Sequence, residues 1–173
     1  MSEDIINRVA KSGIVSIDLG EYYPVEEIAE LDLKPWLFKG LILKEADFRK
    51  DIEEYNWQQF NGKRVAVFCS ADAIIPVWAY MLISMKLTGA AKGIVFGSKS
   101  NLLSQYYHDT LNKIDLSEYK GHRIVIKGCG DKDVPESAYL EITQLLVPIA
   151  KTIMYGEPCS TVPVYKSKPG YKS

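Results

Sequence analysis

From Arg64 to Tyr155 the chain alternates short, continuous apolar runs with longer helical stretches, and this rhythm restricts the fold more than any other feature. Arg64-Val65-Ala66-Val67-Phe68-Cys69, Gly93-Ile94-Val95-Phe96, Arg123 to Lys127 and Thr152-Ile153-Met154-Tyr155 read as strands covered on both faces. Between them Pro76 to Leu87, Ser100 to Asn112 and Pro135 to Lys151 read as helices, two of them opened by a proline whose fixed φ suits a first turn. Strands joined through helices are parallel and cross over right-handedly. The rhythm therefore predicts an α/β fold, a single three-layer αβα domain with a mainly parallel sheet. Upstream, Ile14 to Leu19 alternates like a strand and stops at Gly20, and Glu45 to Trp57 has the spacing of an amphipathic helix. Pro24 and Pro35 break Tyr22 to Leu43, leaving a short helix or turn around Pro35-Trp36-Leu37-Phe38. The domain is expected to span residues 1–165, with residues 166–173 a flexible polar tail.

An internal echo runs through this pattern. A shift of 59 residues lays Gly62 to Leu87 over Gly121 to Leu146, and eight of the 26 positions are identical, where chance gives about two. The matches are Gly62/Gly121, Arg64/Arg123, Asp72/Asp131, Pro76/Pro135, Ala79/Ala138, Tyr80/Tyr139, Ile83/Ile142 and Leu87/Leu146. Two related strand–loop–helix units are the expectation. Shared demands of strand and helix are the plainer alternative.

Composition removes several classes of function. Lys and Arg number 21 against 22 Asp and Glu, so there is no basic field to displace counterions from a nucleic acid. The longest apolar run, Ala73 to Ile83, contains Pro76 and is far short of the roughly 20 residues of a membrane span. The opening Met1-Ser2-Glu3-Asp4 is polar and acidic, unlike a secretory signal. Three cysteines are too few for a disulfide framework and suit a reducing cytoplasm, and 173 residues bury a core without crosslinks.

The cysteines are the residues most open to a chemical reading. Cys69 and Cys129 end strands, and Cys159 follows the last one, so all three are expected at the carboxyl edge where open α/β sheets bind ligands. Three roles stay open. They are small buried hydrophobes, three thiolates for zinc or an iron–sulfur cluster, or one nucleophilic or redox thiol with two neighbours. Gly128 puts Cys129 one residue later than Cys69 in the repeat, which turns the two thiols to different faces unless a bulge intervenes. His122 precedes its strand and His108 lies within a helix, so no Cys–His couple is expected. Acid–base work then falls to Asp72, Asp131 and Glu157 near the same edge. Loop acids also serve structure, and Asp133-Val134-Pro135-Glu136 has the form of a capping box. The turn Gly97-Ser98-Lys99-Ser100 offers amides to an anion, or simply caps its helix with serine. Tyr80 and Tyr139 read as packed helix tyrosines. Trp78 and Met81 lie on a helix apolar almost all round, which reads as core.

Three long motifs carry a resemblance: Cys69-Ser70-Ala71-Asp72-Ala73-Ile74-Ile75-Pro76-Val77-Trp78-Ala79-Tyr80, Lys127-Gly128-Cys129-Gly130-Asp131-Lys132, and Ile153-Met154-Tyr155-Gly156-Glu157-Pro158-Cys159-Ser160-Thr161-Val162-Pro163. Through them most of the chain resembles a bacterial family of small proteins of uncharacterised function. A looser similarity, at the level of fold, is to enzymes such as quinolinate synthase, whose repeated αβα units each give one cysteine to a shared iron–sulfur cluster. The leading expectation is a cytoplasmic protein with a small-ligand or metal site built by Cys69, Cys129 and Cys159, enzymatic or not, with Asp72, Asp131 and Glu157 as acid–base or supporting groups. The alternative is a non-catalytic binding module that takes a small anion at Gly97-Ser98-Lys99-Ser100 or a protein partner, its cysteines merely packed. Eleven tyrosines and three tryptophans supply material for a homodimer surface without locating one.

Overall fold

A computed structural model describes residues 13–128, 130–157 and 159–168. The strands are mostly parallel and alternate with helices, as the α/β reading requires, but they form two sheets where the pattern suggested one. The chain divides into two compact units. A central unit is Pro24–Gln105, and a terminal unit combines the chain up to Tyr23 with the chain from Tyr106 onward.

The central unit holds β2 (Ile28–Asp32), α1 (Glu45–Glu54), β3 (Arg64–Phe68), α2 (Val77–Leu87) and β4 (Gly93–Phe96). Its sheet runs β2-β3-β4, parallel throughout. β2 was not expected from the sequence. Val65 and Val67 of β3 pack with Phe48 and Ile52 of α1 and with Ala79, Ile83 and Leu87, a stripe spaced four residues apart on one side of α2. Full burial of each such aliphatic side chain contributes about 1.5–3 kcal/mol.

The terminal unit holds β1 (Ile14–Asp18), β5 (Arg123–Lys127), α4 (Glu136–Leu146), β6 (Thr152–Glu157) and β7 (Ser160–Lys166). Its order is β1-β5-β6-β7, with the first three parallel and β7 antiparallel. Here Ile124 and Ile126 pack with Ala138, Ile142 and Leu146 and with Tyr107 and Leu111. The buried Tyr107 hydroxyl donates to the Leu19 carbonyl at 2.8 Å. Lys166 ends β7 and the Ser167 amide bonds the Lys151 carbonyl, so the strand extends into the stretch expected to be tail. The remaining helix, α3 (Lys99–Leu111), begins in the central unit and ends in the terminal one. No helix among the described residues is long and apolar enough to cross a membrane.

The 59-residue echo is a repeat of backbone as well as of side chains. β3, α2 and β4 become β5, α4 and the first four residues of β6 under that shift. Gly62 donates to the Ala90 carbonyl at 2.9 Å, and Gly121 to the Ile149 carbonyl at 2.8 Å. Lys92 donates to Lys63 at 2.7 Å, and Lys151 to His122 at 2.9 Å. The leading strands repeat too, at a different shift. β1 and β2 share one burial pattern, and each ends in an aspartate that accepts the amide two residues on, Gly20 for Asp18 and Lys34 for Asp32, both at 2.9 Å. Gly97, just past β4, and Gly156, next to last in β6, are also 59 apart and have φ of 116° and 118°, a conformation that L side chains rarely adopt. Beyond them the units diverge. Gly97 leads into α3, whereas Gly156 leads into the hairpin that adds β7.

Candidate functional site

Each sheet has a carboxyl edge, so the residues expected on one rim are distributed over two. Cys69 follows β3 in the central unit, and Cys159 lies in the β6–β7 turn of the terminal unit. Cys129 lies outside the described residues. Among the described residues no three His, Cys, Asp or Glu side chains gather as a metal-binding group. Cys69 is half-buried and its Sγ lies 3.8 Å from the Ala71 carbonyl, while Cys159 is exposed.

At the central edge the organising residue is Asp32, which sequence reasoning missed because β2 was missed. Its carboxylate accepts the amides of Lys34 and Ser70, both at 2.9 Å, and the Ser70 hydroxyl. Burial pushes this carboxyl up, but the Ser70 and Lys34 donors outweigh it and hold the group below its ordinary value. Asp72, in the same loop, is exposed. Tyr80 stands edge-to-face on Phe96, with ring centroids 5.1 Å apart, and burial first, then Cys69 and Asp32, push its phenol up. The Gly97-Ser98-Lys99-Ser100 turn is already furnished with acceptors. The Ser98 amide and hydroxyl both reach Asn101 Oδ1 at 2.9 Å, and the Lys99 amide reaches Glu30 at 3.3 Å. A carboxylate of the chain itself therefore stands where an anion would bind. Serine serves as the cap, with its hydroxyl 3.5 Å from the Asn101 amide.

At the terminal edge Lys127 stands between Asp18, at 3.3 Å, and Glu157, at 3.9 Å, which ends β6. The Asp18 hydrogen bond, with the charges of Glu157 and Asp18, raises the Lys127 pKa and so favours the charged amine. Glu157 thus has a cation for company. Asp131 is exposed, and Pro135, at the cap of α4, makes no side-chain capping bond, so the capping box expected from Asp133 and Glu136 does not form. His108 pairs with Glu141 at 2.7 Å, away from any described cysteine partner.

Position 69 of one unit corresponds to position 128 of the other. A Cβ on Gly128 would overlap the Tyr139 hydroxyl and touch Leu19. Packing therefore favours glycine at 128, whereas the central unit has the half-buried Cys69 at the matching position.

The largest departure from expectation is α2. Its sequence is apolar almost all round and reads as core, yet Val77, Met81 and Met85 are 74, 66 and 57 % exposed. β4 is an edge strand, so the sheet ends on that side of α2. Between α2 and β4 lies a hollow of about 290 Å³ lined by Val67, Val77, Tyr80, Met81, Ile94 and Phe96, with Ser84 as a further polar group. Phe96 is 72 % exposed and Ile74, in the loop before α2, is 92 % exposed.

No match is found among the curated proteins or the solved structures. Agreement with the resemblance carried by the three long motifs comes instead from a family model described as a protein of unknown function (DUF2480), which matches residues 3–167, and the chain belongs to that family.

Proposed function

We propose that the protein is a non-catalytic binding module that works through protein contacts on the α2–β4 face of its central unit. The observation that carries this reading is the apolar surface formed by Ile74, Val77, Met81, Met85 and Phe96. Monomeric proteins rarely leave contiguous apolar surface of this kind open to water, and where they do it marks an interaction site. The polar edges point the same way, since Lys127, Asp32 and the Ser98–Lys99 amides are engaged by partners within the chain. A zinc or iron–sulfur centre needs three or four ligands around one point, and the described residues supply no such group. The test is a photo-crosslinking residue in place of Met81, with Glu118 as the exposed control position. A discrete adduct from position 81 alone is expected. Its absence would end the reading.

A second reading, binding of a small anion, is favoured by a separate feature. A cleft of about 580 Å³ at the amino edge of the terminal sheet is lined by Lys120, Lys151, Tyr165 and Ser167, and an adjoining hollow of about 470 Å³ by Lys151, Lys166 and Lys168. Among the described residues no acidic side chain lines either one. Titration with inorganic phosphate should release heat in the unmodified chain and little after Lys120→Ala with Lys151→Ala.

A further inference from the structure

We infer that the partner on the α2–β4 face is a second copy of this chain, docked by antiparallel pairing of β4 with β4 so that two central sheets join as one of six strands. This rests on the binding reading above and names its occupant. The argument starts from the repeat. In the terminal unit the strand that matches β4 is β6, and its outer edge is covered by the antiparallel β7. In the central unit β4 pairs, among the described residues, with β3 alone. An open strand edge beside an apolar surface is a template for pairing, and isologous pairing of one edge with itself closes it.

The register follows from hydrogen-bond parity. Gly97 donates to the Val67 carbonyl, so residues 95 and 97 turn their backbone groups toward β3, and Ile94 and Phe96 turn theirs outward. Their counterparts under the 59-residue shift are Ile153 and Tyr155, which pair with Tyr165 and Val162 of β7. A two-fold axis through Val95 sets Ile94 against Phe96 of the other copy twice over. This engages all the outward groups of both residues. It also places the two Val95 residues opposite each other as a non-hydrogen-bonded pair, with Cα atoms about 4.5 Å apart.

The helices obey the same geometry. Ile94, Phe96 and the exposed side of α2 share one face of the sheet, because they line one hollow. If α2 lies over β3 and β4, its symmetry mate lies two strand spacings away, roughly 10 Å, which is the ordinary distance between packed helices. The stripe of Val77, Met81 and Met85 then meets the same stripe of the other copy in reversed order along antiparallel helices. α2 carries one charged residue, Lys86, and that is engaged by Glu53 at 2.7 Å, so the helix brings no unpaired charge to the axis. The five exposed side chains offer on the order of 600 Å² per copy. With the strand backbone this approaches the roughly 800 Å² per partner of a standard stable interface.

Sedimentation of the full chain over a range of concentrations tests the proposal, together with Val95→Cys under mild oxidation. The expected result is a species of twice 19.5 kDa, and a disulfide joining the two introduced thiols, located by peptide mass spectrometry, since the pair falls within the Cα range of about 4.4–6.8 Å that a disulfide spans. Met81→Glu and, separately, Phe96→Lys should weaken association about tenfold or more while leaving the circular dichroism spectrum unchanged. A chain that is monomeric at all concentrations overturns the inference, as does a dimer in which Val95→Cys fails to crosslink. A position-81 photo-adduct to a different protein from a monomeric chain overturns the second copy alone. No adduct at all removes the binding reading with it.

Discussion

The central and terminal units share a backbone and differ at their margins. Both have a leading strand that ends in aspartate, then a strand, a loop, a proline-opened helix and a parallel strand, with equivalent hydrogen bonds at equivalent positions. Both bury the same helix stripe, Ala79, Ile83 and Leu87 in one and Ala138, Ile142 and Leu146 in the other. Outside the core the two go separate ways. Val77 and Met85 of α2 correspond to Glu136 and Gln144 of α4, and the terminal unit covers its edge with β7. Core positions are held by packing in both units. Surface positions are free to become an interface in one and solvated in the other.

That equivalence is open to attack at its strongest point first. Ile83→Ala and Ile142→Ala each empty a fully buried site, and each should lower stability by about 2–5 kcal/mol in urea unfolding. A large difference between them would mean that the cores are not equivalent. Next is the exchanged position. Gly128→Ala should cost about 1–3 kcal/mol through overpacking against Tyr139, and Tyr139→Phe in the same chain should recover part of it; Cys69→Ala, where there is room, should cost less than Gly128→Ala. Smaller again, Asp32→Ala removes an acceptor for three donors and should cost about 1–2 kcal/mol near neutral pH. Because folding lowers the Asp32 pKa, its contribution is fully present above the unfolded value of about 3.9 and fades as pH falls through the lower folded one. Acid titration of the variant should therefore show a shallower loss. The least effect is expected from Lys127→Met. Folding raises this pKa, so the Asp18 contact helps below about pH 10.4 and is lost as pH climbs past that point, visible only as a small change in the alkaline limb.

The sequence announced the βαβ grammar from Arg64 to Tyr155 and the repeat, because continuous apolar runs and shared glycine and proline positions are local signals. It concealed β2, whose Ile-Ala-Glu-Leu-Asp is short, contains two acidic residues and lies close behind Pro24. β7 was hidden for a different reason. Its Pro163 argues against a strand, but β7 is an edge strand and Pro163 sits where the register with β6 shifts, the place a proline is tolerated. The division into two sheets was also hidden, since strand order leaves no trace in periodicity. Hence Cys69 and Cys159, expected on one rim, follow strands of two different sheets. The exposed side of α2 was invisible because an all-apolar helix looks alike whether its last face meets the chain or something else.

The pairing of β1 with β5 sets Ile14 beside Arg123, so the first strand of the terminal unit must wait for a partner more than a hundred residues further on. The central unit, Pro24–Gln105, is continuous and closes on short connections. On the ribosome, where amino-terminal segments emerge first, it is therefore clear of the exit tunnel before β5 is. Throughout that interval β1 has no ladder to join, and the late closure of a long intervening segment makes assembly of the terminal sheet the slow step of biogenesis.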